Sequence, residues 1–177
     1  MKTLSKLLSR YMPTAPTGRV EWIGVRPERK APVIQVTETV ALEDRGLKGD
    51  RSALKASNSG RQVTLISAED IQALATTLGR NTIDPAILRR NIVVSGINLH
   101  AMRYQNIRIG EAILEVGAHC HPCSRMESAL GKGGFLAMYM RGGYCCKVTH
   151  SGLISVGDSV THHALDNNAT DQQGQLF

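Results

Sequence analysis

Apolar residues along this chain come in short bursts separated by turn-forming residues rather than in long stripes. They cluster over 20–25, 33–40, 61–67, 92–95, 107–109 and 112–116, with Gly, Pro, Asn or Asp between clusters, and each cluster predicts a strand. One segment keeps a clear helical period: Ile71, Leu74, Ala75 and Leu78 share a face, Ser67 and Asp70 are spaced as a capping box at its start, and Gly79 is placed as its C-cap. Asp84-Pro85 opens a further short turn of helix. Near the N-terminus, Leu4, Leu7 and Leu8 combine with Lys2, Lys6 and Arg10 into a short basic amphipathic pattern, expected to be an appended helix packed on its own domain, and Pro13 to Gly18 reads as a linker. The glycine-rich stretches 131–134 and 141–143 predict loops, 154–160 closes the domain, and the polar run from His162 to Phe177 predicts a disordered tail. Many short strands with one or two short helices predict a mainly β, barrel-like single domain. The expected boundaries are 1–17 for the N-terminal helix and linker, 18–161 for the domain and 162–177 for the tail.

Composition agrees with one compact domain, since 177 residues with 42% hydrophobic and 20% charged content can bury a substantial core. The formal charge of +6, from 21 Lys and Arg against 15 Asp and Glu, points to a polyanionic or phosphorylated partner. Direct nucleic-acid binding is not expected, because aromatic residues make up only 4% and there is one Trp, too few for a base-stacking platform. No apolar run approaches the ~20 residues that span a bilayer, and Met1 to Met12 lacks the apolar region of a secretory signal, so a cytoplasmic chain with reduced thiols is expected.

Chemistry concentrates in Gly117-Ala-His-Cys-His-Pro-Cys-Ser-Arg-Met-Glu127, where two thiols and two imidazoles, His119, Cys120, His121 and Cys123, lie within five residues directly after a strand. Pro122 fixes its own φ and disfavours the α region for His121, which delays any helix until Cys123. Arg125 and a helix begun at Ser124 would favour a thiolate, the form that attacks and binds metal. The same cysteines could equally be small buried hydrophobes. A zinc site from Cys120, Cys123, Cys145 and Cys146 would need a turn at the adjacent pair, because neighbours on an extended strand face opposite ways. Elsewhere, Gly46 and Gly49 permit a tight turn on which Lys48 and Arg51 could grip an anion. Arg89 and Arg90 stand with Asn91 at a strand entrance, and their planar forks suit phosphate.

Five segments in this order, Gly46-Leu-Lys-Gly-Asp-Arg51, Arg61-Gln-Val-Thr-Leu-Ile66, Arg89-Arg-Asn-Ile-Val-Val94, Pro122-Cys-Ser-Arg-Met126 and Val156-Gly-Asp158, resemble those of MOSC domains, named after the C-terminal domain of molybdenum cofactor sulfurase. The resemblance runs over roughly residues 20–160. It implies a MOSC-type β-barrel-like fold that binds the molybdenum cofactor, molybdopterin. Carried over from the amidoxime-reducing relatives, Cys123 is the catalytic thiolate on molybdenum, and Arg89 and Asn91 hold the cofactor, with Arg51, Lys48 and Ser67 as further pocket candidates. His121 and Pro122 stand where those relatives have Ser-Arg, and their additional N-terminal β-barrel domain is not expected here. The implied activity is reduction of small N-hydroxylated compounds, such as hydroxylaminopurine-type base analogues, with His119 and His121 as candidate proton donors. No flavin, nicotinamide or iron–sulfur motif is evident, so electrons are expected from an external donor protein. Two other readings use the same residues: a sulfur carrier with a persulfide on Cys123, and a non-catalytic cofactor-binding module. Finally, Gln173-Gly-Gln-Leu176-Phe177 resembles the short C-terminal peptides that dock on the bacterial DNA polymerase sliding clamp, with Gln173, Leu176 and Phe177 as its contacts.

Overall fold

The computed structural model describes residues 2–164, with side chains from residue 7 onward. In chain order the first half contains α1 (Lys2–Tyr11), β1 (Gly18–Val25), β2 (Ile34–Val36), β3 (Glu38–Leu42), β4 (Gly46–Leu47), β5 (Val63–Ser67), α2 (Ala68–Thr77), α3 (Pro85–Leu88) and β6 (Ile92–Ser95). The second half contains β7 (Asn106–Ile109), β8 (Ala112–His119), α4 (Ser124–Leu130), α5 (Gly134–Met138), β9 (Tyr144–His150), β10 (Gly152–Ser155) and β11 (Ser159–His163).

Seven strands close into a barrel in the order β1-β6-β5-β9-β8-β7-β11, with β11 returning to β1 through Gly18↔Val160. β2 extends β1 at the edge, and β10, β3 and β4 form a separate small sheet. Among the described pairings in the barrel, β5 with β6 is parallel and the others are antiparallel. A parallel pair needs a crossover, and α2 with α3 supplies it. Closure removes the exposed edges that an open sheet of short strands would carry.

Alternation along the strands sends one set of side chains into the barrel and the other outward. Leu65, Ile92, Val94, Leu114, Val116, Tyr144 and Cys146 are in the interior cluster. Outward-facing Trp22, Ile66 and Val93 pack instead against Ile71, Leu74 and Leu88, so the helical stripe expected from the sequence does cover the sheet. Burying each such side chain contributes roughly 1.5–3 kcal/mol. Met12, 5% exposed, belongs to the barrel cluster with Ala15 against it, which ties the N-terminal helix and its linker to the domain.

Several details differ from the pattern read along the chain. The apolar run 33–40 is two strands, divided at Thr37, whose carbonyl accepts from Val156 N. The run 154–160 likewise divides around a turn in which the Asp158 carboxylate accepts from Ser155 N. The glycines at 131–134 lead into a helix: the Glu127 carboxylate, on α4, accepts from Gly133 N at 2.8 Å and Phe135 N at 2.7 Å and so starts α5. Strand pairing in β11 continues to His163, opposite Asn106, which is past the expected domain boundary. The tail positions Gln173, Leu176 and Phe177 lie outside the described residues. Among the described residues, no helix is long and apolar enough to cross a membrane.

Candidate functional site

The β4 turn, the β1–β2 loop, the α3–β6 junction and the start of α4 meet around one buried carboxylate. Asp50 is 3% exposed and accepts from Ser52 N and Oγ, Arg26 N and Nε, and Asn91 Nδ2. Burial alone would push its carboxyl up. The hydrogen bonds from Ser52 and the Arg26 guanidinium outweigh burial and hold it below the usual carboxylate range.

Asn91, 2% exposed, is bonded at both ends of its amide. Nδ2 donates to Gly24 O and Asp50 Oδ2, while Oδ1 accepts from Thr64 N and Oγ1. It therefore ties β1, β5, β6 and the β4 turn together and faces into the protein.

The two neighbouring arginines do different things because of one backbone angle. Arg89 ends α3 in the left-handed conformation, φ 57, and the chain reverses there. Arg90 then turns inward, 7% exposed, and donates to the carbonyls of Gly142 (2.6 Å), Leu88 (3.0 Å) and Cys120 (3.3 Å). A side chain at position 142 would collide with the Cys120 carbonyl, so glycine there is required for the close approach. Arg89 stays toward solvent, with Nη1 bonded to Ala31 O at 3.2 Å. Partial burial, then the nearby Arg26 and Arg125 guanidiniums, lower its pKa, opposed by Asp50 and the Cys123 sulfur. Those five side chains thus share one electrostatic neighbourhood.

A cavity of about 230 Å³ opens there, lined by Arg26, Glu28, Arg29, Lys30, Asp50, Arg51, Ser52, Arg89 and Arg125. Six of those side chains are cationic and two anionic, and Asp50 is already satisfied internally, so the cavity is suited to a phosphate. Of the residues singled out from the sequence, Arg89, Arg51 and Arg125 line it. Lys48 is exposed but does not line it, and Ser67 lies elsewhere, capping α2 through Asp70 N and lining a separate cavity with Asn98 and His100. Arg26, Arg29, Lys30 and Asp50 complete the site without having been singled out individually. The first three lie in the loop 26–32 between the first two strands, whose run of basic residues is the signal that could have found them.

The cysteine stretch splits to two sides. Cys123 is exposed at the N-cap of α4, two residues from Arg125. Cys120 is half-buried beside buried Cys145, the two thiols shifting each other's pKa in opposite directions, whereas Cys146 points into the barrel core. Because β9 is extended across the Cys145-Cys146 pair, the four thiols do not converge as a zinc site would require, and no group of three or more His, Cys, Asp or Glu among the described residues is arranged to hold a metal ion. On the other side of β8, His119 stacks on Tyr144 with ring centroids 4.4 Å apart. The Tyr144 hydroxyl meets His100 Nδ1 at 2.7 Å and His119 Nε2 at 3.3 Å. Burial, then Arg103 and the neighbouring histidines, push the His119 pKa down, and burial pushes Tyr144 up to about 12. His121 is exposed, its ring 6.2 Å from that of His119.

The MOSC domain family model matches residues 48–161. Among solved structures, the YuaD protein from Bacillus subtilis superposes with a TM-score of 0.70 at 20% identity, covering 84% of this chain and 97% of that one. YiiM from Escherichia coli gives 0.62 at 19% identity, with 83% and 70% covered, and YiiM from Geobacillus stearothermophilus gives 0.66 at 14% identity, with 86% and 78% covered. At these identities the likeness establishes the fold. No curated protein gives a significant match.

Proposed function

The chain belongs to the MOSC domain family, which is associated with the molybdenum cofactor, and on that premise we propose that it binds this cofactor beside Cys123 and reduces small N-hydroxylated compounds. The observation that carries the reading is an exposed thiol at the N-terminus of α4 in the same electrostatic neighbourhood as a phosphate-sized cationic cavity. The donor set fits: a soft thiolate suits a molybdenum environment, and guanidinium forks suit the cofactor phosphate.

In this reading Arg89, Arg51 and Arg125 bind the phosphate, and Asp50 fixes Arg26 so that its charge faces the cavity without reorganisation on binding. Asn91 acts by positioning, since its amide is fully engaged by Gly24, Asp50 and Thr64. Lys48 and Ser67 do not line the cavity and have no part in this reading. Cys123 supplies the thiolate ligand. When bound, the cofactor supplies a metal that exchanges two electrons and an oxygen atom with N–OH compounds. Between the two histidines, the exposed His121 takes the proton-donor role, while His119 is partly buried with Nε2 engaged by the Tyr144 hydroxyl. Electrons come from a separate donor protein.

The test is reduction of a hydroxylaminopurine-type base analogue by cofactor-loaded protein, with a chemical reductant replacing the donor. Turnover in proportion to molybdenum content supports the reductase. Full loading without turnover on any N-hydroxylated compound overturns it and leaves a cofactor-binding module. Sulfane sulfur on Cys123 in metal-free protein instead identifies a sulfur carrier.

A further inference from the structure

We propose that Cys120 and Cys145 form a redox-active dithiol, a thiol–disulfide exchange site distinct from Cys123. The pairing follows from the strands. In the β8–β9 ladder His119 stands opposite Tyr144, and Cys120 N donates to Gly143 O at 2.8 Å. Side chains alternate, so Cys120 and Cys145 fall on the same outer face as diagonal neighbours. His119, Tyr144 and Cys146 occupy the other face, which excludes Cys146.

The two thiols are unequal. Cys120 sits just past the end of β8, half-buried, with Arg90 bonded to its own carbonyl, whereas Cys145 is only 5% exposed inside the β5–β9 ladder. The Cys145 thiol as hydrogen-bond donor, against partial burial and with the help of Arg90 and Arg61, holds the Cys120 thiol below its ordinary pKa, and the same hydrogen bond and burial raise that of Cys145. An accessible thiolate backed by a buried protonated thiol is the arrangement of an attacking and a resolving cysteine. Packing alone accounts for a buried Cys145. It does not account for a second thiol beside it on the same face, with Arg90 held on that residue's own carbonyl.

The exchange balances with a low-molecular-weight disulfide as oxidant. Cys120 Sγ attacks RS–SR, forming the mixed disulfide and releasing RS⁻. Cys145 loses its proton to water and attacks Cys120 Sγ, closing the Cys120–Cys145 bond and expelling the second RS⁻. The net change is two thiols oxidised and one external disulfide reduced, and an external dithiol reverses it. The couple carries two electrons and two protons, which is what conversion of R–NHOH to R–NH₂ and water consumes. That link rests on the proposed reductase activity, whereas the couple itself does not.

The experiment equilibrates the full-length protein, as purified, in buffers poised with reduced and oxidised dithiothreitol, alkylates under denaturing conditions, and counts and maps thiols by mass spectrometry. Two thiols should disappear together as the poise becomes oxidising, those of Cys120 and Cys145, in monomeric protein and reversibly, with Cys123 and Cys146 still alkylated. Cys120→Ser and Cys145→Ser should each abolish the two-thiol loss, and Cys123→Ser should leave it intact. Because Cys145 is buried, Cys120→Ser provides the variant least liable to misfold. Four alkylated thiols at every poise overturns the proposal, as does a bond from Cys120 to Cys123 or a bond between chains. The readout needs no molybdenum, so failure of the cofactor assignment would leave this result standing, and the reverse.

Discussion

Asn91 Nδ2 lies 3.0 Å from Asp50 Oδ2, a hydrogen bond between buried side chains 41 positions apart that joins the start of β6 to the β4 turn. Asn91 thereby holds the carboxylate that in turn orients Arg26 toward the cationic cavity. The expected consequence of Asn91→Ala is a loss of about 2–4 kcal/mol, because it orphans buried partners on Gly24, Thr64 and Asp50 together. Urea midpoints measure it. A change under about 0.5 kcal/mol, the range of an ordinary surface substitution, would remove Asn91 from this role.

Asp50 makes the domain acid-sensitive. Its folded pKa lies below the ordinary aspartate value, so its contribution to stability is fully present above the unfolded pKa and is lost as pH falls through the folded one. Melting temperature should therefore carry no Asp50 contribution to its slope at neutral pH, and should drop as pH falls below about 4. Asp50→Asn should be less stable at pH 7 and should lose a smaller part of its stability on acidification. Parallel curves for the two proteins across that range would contradict the assignment.

Arg89 and Arg90 should separate cleanly despite being neighbours. Arg90→Ala removes three bonds to backbone carbonyls from a side chain 7% exposed and is expected to cost about 2–4 kcal/mol, with faster amide exchange in the Cys120 and Gly142 segments. Arg89→Ala removes one such bond at the cavity and should leave apo-protein melting nearly unchanged while pterin content falls. Loss of fold with full pterin per folded molecule would make Arg89 structural.

How these residues divide shows what the chain discloses on its own. Strands such as 61–67 and 112–116 were legible because β-branched residues between turn formers leave little choice, and the α2 stripe because its period and cap agree. α5 was hidden because Gly131, Gly133 and Gly134 read as breakers, and what starts the helix is a carboxylate on α4. Arg89 and Arg90 are equivalent in sequence, and only the left-handed turn at Arg89 sends them to opposite sides. Asp50 reads as an exposed turn residue until Asn91 and Arg26 arrive from elsewhere in the chain. The Cys120–Cys145 pair depends on the bulge between Val116 and His119 that sets the β8–β9 register, a tertiary property.

The most direct test of the cofactor site is molybdenum and pterin content, measured together on protein from a cofactor-competent host, for the wild type and for Cys123→Ala. The account predicts stoichiometric molybdenum with pterin fluorescence in the wild type and near-complete loss of molybdenum in Cys123→Ala, with Cys120→Ala, Cys145→Ala and Cys146→Ala retaining most of it. Molybdenum retained at wild-type stoichiometry in Cys123→Ala would contradict the ligand assignment and, with it, the proposed site.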